Sequence, residues 1–233
     1  MAKQGSGECR QPLKVMETAI LVDGGFYLKR ARSLLGSMTP KERADELENY
    51  CKKHINKFGD RHLYCVFYYD CPPSDAVIWN PVTQKNVPLA KTDLYSWTND
   101  FHAELAHRRK FALRMGELLD THGGYTLKND SLKKLLVGKK TLNNLTDDDL
   151  DLNIRQKGVD MKLGLDIASL AYGGIVNQIL MIAGDSDFVP AAKMARRQGI
   201  DFILDPMWSH ITPSLNLHID GLETCCKKPS QKN

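Results

Sequence analysis

Four short, nearly unbroken apolar runs constrain the fold of this chain more than anything else in it. They are TAILVD (18–23), HLYCVFYYD (62–70), IVNQILMIA (175–183) and IDFILD (200–205). A strand that faces water on one side alternates apolar with polar residues; one buried on both faces does not need to. Between these runs lie stretches with helical patterning: GGFYLKRARSLLG (24–36), TPKERADELENYCKKHINKFG (39–59), DLYSWTNDFHAELAHRRK (93–110), DMKLGLDIASLAY (160–172) and DFVPAAKMARRQG (187–199). Thr39 is suited to cap the second of these, with Pro40 in its first turn and Gly59 near its stop. Strands joined by helices predict a parallel sheet covered on both faces.

The rest of the chain is less regular. Residues 1–16 read as a polar lead-in, and 225–233 as a polar tail. The stretch CPPSDAVIWNPVTQKNVPLA (71–90) carries four prolines and is expected to be a loop. FALRMG (111–116) and LNIRQK (152–157) are candidate strands, and IDFILD is expected to be the last strand. Residues 117–150 mix basic and acidic clusters and predict an irregular insertion with one short helix. One domain, residues 17–224, is therefore expected, in keeping with a length of 233 residues.

The acids near the strand ends carry the chemistry. Asp23 closes TAILVD, Asp70 closes FYYD, and Asp185 and Asp187 follow ILMIA in GDSDF. Asp160 opens the helix after QKGV. In an open α/β sheet, ligands bind outside the carboxyl ends of the strands. One Asp at such a position is a helix cap or a turn residue. Several crowded together repel each other unless a cation neutralises them, and hard carboxylate oxygens suit Mg²⁺ or Mn²⁺. Such a centre activates water and stabilises the charge that develops on a phosphodiester. In this reading Asp185 contacts the metal, Asp187 binds directly or through water, and Ser186 caps the next helix or contacts phosphate.

The segments AILVDGGFYLKR, VFYYDCPP, FALRMGEL, QKGVDMKLGLDIASLA and ILMIAGDSDFVPAAKMARRQGIDFIL together resemble the NYN domain family, also described as LabA-like proteins, of the PIN-like nuclease superfamily. The motifs occur in family order between Thr18 and Leu222. The resemblance implies a PIN-like (Rossmannoid) α/β fold, with a parallel sheet flanked by helices. It also implies a metal-dependent endoribonuclease using Mg²⁺ or Mn²⁺. It maps the family's acidic positions onto Asp23, Asp160, Asp185 and Asp187 as catalytic and metal residues. Asp166 also matches a commonly acidic position, but it lies six residues after Asp160 and is turned off that helix face. Asp166 and Asp70 therefore rank second. One departure stands out. Many members carry Asn three residues after the first Asp, where this chain has Phe26.

RNA is the expected partner, with Arg155, Lys157 and Lys162 near Asp160 as candidate phosphate contacts, and a homo-oligomer is possible. The basic clusters HRRK (107–110) and KKLLVGKK (133–140) read as solvated surface, TDDDLD (146–151) as a surface turn, and Tyr95, Trp79 and Trp97 as residues pinning a loop to the core. A net charge of +4 neither requires nor excludes nucleic acid. There is no CxxC pair among the six cysteines, no G-x-S-x-G elbow, no obvious Cys–His arrangement, and no GK[ST] near a strand end. A nucleotide-binding or phosphatase reading is disfavoured because DGGFYLKRA lacks the G-x-G-x-x-G fingerprint. A non-catalytic RNA-binding protein of the same fold is the remaining alternative, favoured by Phe26. Cys51 and Cys65 read as reduced core residues, and no stretch has the apolar character of a signal peptide or membrane span, so a cytoplasmic protein with no membrane partner is expected.

Overall fold

The computed structural model describes residues 16–118, 123–154 and 156–229. The chain opens with β1 (Met16–Asp23), α1 (Gly24–Leu35), α2 (Pro40–Asn56) and β2 (Arg61–Asp70). There follow β3 (Val77–Asn80), β4 (Lys85–Pro88), α3 (Asp93–Ala106), β5 (Phe111–Met115) and β6 (Glu117–Leu118). Next come β7 (Gly124–Leu127), α4 (Asn129–Leu136), β8 (Leu150–Asn153), β9 (Gln156–Lys157) and α5 (Val159–Tyr172). The chain closes with β10 (Gln178–Ile182), α6 (Val189–Arg197), β11 (Asp201–Asp205), α7 (Pro213–Asn216) and β12 (Gly221–Leu222).

Six strands form the main sheet in the order β12-β11-β10-β1-β2-β5, and every neighbouring pair is parallel. This is the parallel α/β sheet expected from the apolar runs, and its residues show why those runs do not alternate. Ala19 and Leu21 of β1 pack with Leu163 and Ile167 of α5 and Ala192 and Ala195 of α6. Ile20 and Val22 point the other way, onto Tyr27 of α1, Leu47 of α2 and Phe101 of α3. Each successive residue of the strand thus has an apolar layer to meet.

The order also locates the site. From β1 the chain proceeds outward to β2 and β5, then crosses back to β10 on the other side of β1. The reversal falls between β1 and β10, the position where open sheets leave a crevice at their carboxyl ends.

Local chemistry sets several boundaries. Thr39 and Glu42 form the reciprocal capping box that opens α2, with Pro40 as its first residue. Gly59 follows the helix with φ +73. Gly24 sits against β2 so closely that a Cβ there would lie 2.6 Å from the Tyr69 carbonyl oxygen and the Tyr68 ring. Only glycine lets α1 start that near the sheet.

Other expectations are corrected. The proline-rich stretch contains an antiparallel hairpin, β3–β4, in register from Val77↔Pro88 to Asn80↔Lys85. Its prolines concealed it because only Pro88 falls in a paired segment, and at a strand end, where the missing N–H is tolerated. Trp79 on this hairpin is exposed rather than pinned inward, whereas Trp97 stacks on Phe101 and donates to the Met38 carbonyl. The 117–150 segment is more ordered than predicted: besides α4 it contributes β7, which pairs with β8, and β6, which pairs with β9. LNIRQK is not one strand, because β8 and β9 pair with different partners. TDDDLD is not wholly surface: Asp149 is buried and accepts from Ser131, Lys140 and Thr146, which hold its carboxyl below the usual range. Finally, β11 is not the last strand, since β12 adds at its edge.

Candidate active site

Asp23 ends β1 and simultaneously caps α1, its Oδ1 accepting from the Phe26 N–H at 3.1 Å. The cap and the functional reading are thus compatible, for one carboxylate oxygen is used and the other is not. Asp185 lies just beyond β10, the strand paired with β1 through Val22↔Ile182. Its Oδ1 accepts from the Asp187 N–H at 3.1 Å, which folds GDSD into a tight turn. Both Asp185 and Asp187 are exposed. Asp160 is in the first turn of α5, whose start is set by Gly158 in the left-handed region at φ +85.

These acids sense one another. Burial pushes the Asp23 carboxyl above its usual range, the Phe26 N–H opposes this, and the charges of Asp160, Asp70 and Asp185 add to the rise. Asp160 is also raised, first by partial loss of water and then by Asp185 and Asp187. Mutual repulsion of this kind is relieved by a cation. The donors are all carboxylate oxygens, the chemistry that Mg²⁺ and Mn²⁺ accept. Among the described residues, no three His, Cys, Asp or Glu side chains already form a metal-holding group. The oxygen-only donors are of the kind a hard divalent cation takes, with water completing its shell.

Of the two second-tier acids, Asp166 is tied into packing, whereas Asp70 stays coupled to the group, its charge raising Asp23 more than that of Asp185 does. Asp166 Oδ2 accepts from Tyr69 Oη at 2.8 Å and Arg114 Nε at 2.9 Å, tying α5 to β2 and β5. Its carboxylate is engaged in packing, as its place on the helix predicts. Asp70 is buried and accepts from the Cys71 N–H and Tyr68 Oη, with His102 Nε2 at 3.1 Å. It acts on the site only through its charge on Asp23.

The basic candidates also divide. Lys162 Nζ donates to the Met115 carbonyl at 2.5 Å, so it closes the junction of β5 and α5. Lys157 is exposed in β9, opposite Glu117. Arg155 and the Ser186 side chain lie outside what is described. Arg108 of HRRK is not the solvated residue expected: its side chain is only 12% exposed and is committed to Asp45 and Glu48.

Two features were not read from the sequence. Phe26 turns its ring onto Gly184, where a Cβ would stand 2.4 Å from it, so the aromatic ring abuts the residue preceding Asp185. Beside Asp70 lies a cavity of roughly 230 Å³ lined by Pro72, Pro73, Tyr95, Leu152 and Ile154. The proline-rich composition marked a loop but gave no sign that it formed a wall.

A GTPase-activating protein of Dictyostelium discoideum is 27% identical over 112 residues, which is 45% of this chain and 10% of that protein. A crystal structure of a protein of unknown function from Vibrio parahaemolyticus has a TM-score of 0.47 at 12% identity, covering 91% of this chain and 94% of that one. The NYN domain model matches residues 124–211, which take in Asp160, Asp166, Asp185 and Asp187. Over those residues the chain is similar to the NYN domain family.

Proposed function

We propose that this protein is a metal-dependent endoribonuclease that hydrolyses RNA phosphodiester bonds at the carboxyl edge between β1 and β10. The observation that carries the reading is the placement of Asp23 and Asp185 just at the carboxyl ends of the paired strands β1 and β10, where Asp23, raised first by burial, also feels the charges of Asp160 and Asp185. Asp23, Asp160, Asp185 and Asp187 would hold Mg²⁺ or Mn²⁺, which supplies an activated water and offsets charge on the phosphate. Asp23 and Asp185 are fixed by their own turns, so the edge is organised before any ligand arrives. Lys157 and Arg155 supply candidate phosphate contacts, and the cavity beside Asp70 offers apolar surface to an unpaired base.

The test is cleavage of mixed structured and single-stranded RNAs with Mn²⁺, Mg²⁺ or EDTA. Cleavage that needs the metal supports the reading; none in any metal removes it. A second reading is a non-catalytic RNA-binding protein, favoured by the Phe26 ring against Gly184 beside Asp185. RNA bound but uncut would establish it. Under the nuclease reading, Phe26→Asn is expected to change cleavage less than tenfold and to cost about 3 kcal/mol of stability through lost packing, read by urea unfolding. A gain well above tenfold would show that Phe26 suppresses turnover.

A further inference from the structure

The carboxyl end of β11, two strands from β1, carries a second polar cluster that the acidic edge does not use. Asp205 is wholly buried, yet four donors reach it: Tyr50 Oη at 2.5 Å, His54 Nε2 at 2.8 Å, the Met207 N–H at 2.7 Å and Thr224 Oγ1 at 2.8 Å. Four donors on one buried carboxylate satisfy its oxygens without water. His54 is wholly buried too, and its other ring nitrogen, Nδ1, lies 3.4 Å from Cys225 Sγ. Cys225, Cys226 and the strand before them thus pack against α2, although composition assigned both cysteines to a polar tail. The sequence showed no Cys–His arrangement because its members are 171 positions apart.

We infer that Cys225 is a reactive thiol, with His54 as its proton partner and Asp205 orienting the ring, and that it is a site of modification by hydroperoxides and carbon electrophiles. The geometry is a Cys–His–Asp relay. The thiol proton moves to Nδ1, and the Nε2–H donates to Asp205. The sulfur then attacks one peroxide oxygen, the O–O bond breaks, and the departing hydroxide takes the proton from His54 to leave as water. Sulfur is oxidised to sulfenic acid and the peroxide is reduced.

Three further observations agree. Cys225 is partly exposed, so a small reagent reaches it. Burial lowers and the bonds to Asp205 and Cys225 raise the His54 pKa, with a net rise to about 9, so the ring is basic enough to keep a proton received from the sulfur at neutral pH. Glu223, at 4.0 Å from Nδ1, and the Tyr50 ring, edge-on at 5.1 Å, are the other groups facing it. The chain after Asp205 turns back through two residues in the left-handed region, Met207 and Trp208 at φ +43 and +62, and this turn brings the Met207 N–H onto Asp205.

Cys226 provides an internal control. It is adjacent and similarly exposed, but its sulfur faces Tyr50 Oη at 3.7 Å rather than an imidazole, and burial pushes its thiol up. The experiment is limited alkylation of the folded, full-length chain with iodoacetamide at pH 7, with each cysteine quantified by fragment mass spectrometry, and repeated in urea. Cys225, with the imidazole beside it, is expected to react about tenfold faster than Cys226 when folded, and equally when unfolded. Dimedone after dilute hydrogen peroxide is expected to label Cys225 alone of the pair. His54→Asn, in molecules shown to be folded, is expected to erase the preference. Equal or slower labelling of Cys225 in the folded wild-type chain, or a preference that survives in urea, overturns the inference without recourse to any variant.

Discussion

Asp185→Asn is expected to lower metal-dependent RNA cleavage roughly 10²–10³-fold while leaving the fold intact. The substitution keeps the size of the side chain and an oxygen that can still accept from the Asp187 N–H, so the turn after β10 is preserved. What it removes is one negative charge from an edge where Asp23, Asp160 and Asp187 remain. Asp185 is exposed, so little stability rides on it. Asp166→Asn is the instructive contrast. That carboxylate accepts from Tyr69 and pairs with Arg114, so its loss is expected to shift the unfolding midpoint more than the chemistry. The measurements are single-turnover cleavage at saturating Mn²⁺ and urea unfolding of both variants. Full activity in Asp185→Asn would remove the acidic edge as the catalytic centre.

Gly24→Ala is expected to destabilise the protein by about 3 kcal/mol or more, whereas Gly25→Ala next to it is expected to be neutral or slightly stabilising. At Gly24 the new methyl would meet a backbone oxygen and the Tyr68 ring at 2.6 Å, and Tyr68 is itself fully buried among core residues. Neither side can yield without moving α1 from the sheet. At Gly25 the nearest atom is Asp23 Oδ1 at 3.6 Å, an ordinary contact, and alanine favours the helix. For a chain of this length, the Gly24 change corresponds to a fall of roughly 10 °C in melting temperature. Because Asp23 caps the same helix, any surviving Gly24→Ala protein is also expected to cleave more slowly. Matching melting curves for the two alanine variants would show that the close approach is not structurally required.

The stability of the β11 cluster has a pH signature. A histidine raised from 6.5 to about 9 in the folded state stabilises fully below pH 6.5 and progressively less as pH rises through about 9. The contribution at stake is on the order of 2 kcal/mol, since the groups facing His54, namely Asp205, Glu223, Cys225 and Tyr50, share the proton balance. Urea midpoints are expected to fall between pH 6.5 and 9.5 in the wild-type chain and to stay level in His54→Asn. A flat wild-type profile would mean that His54 is neutral when buried.

The sequence by itself determined what depends on neighbours along the chain. Apolar runs long enough to be buried on two faces required a covered parallel sheet, and Thr39-Pro40-x-Glu42 specified its own helix start through bonds four residues wide. It also placed Asp23 and Asp185 at strand ends, because a charge following a buried run must emerge where the strand does. The hairpin β3–β4 and the pairing of β7 with β8 were hidden, since antiparallel pairing across a turn rich in proline and charge leaves little periodicity in four-residue strands. Only the tertiary structure decided which carboxylates converge. That follows from β10 pairing with β1 across a separation of more than a hundred residues, which no local pattern encodes. The same is true of Gly24 against Gly25, identical in sequence but facing a carbonyl at 2.6 Å in one case and only an ordinary contact at 3.6 Å in the other. It is true above all of His54, Asp205 and Cys225, drawn from a helix, a strand end and the chain after the last strand. Their proximity is a property of the packed layers, because side-chain chemistry at a distance in sequence is set by which faces meet.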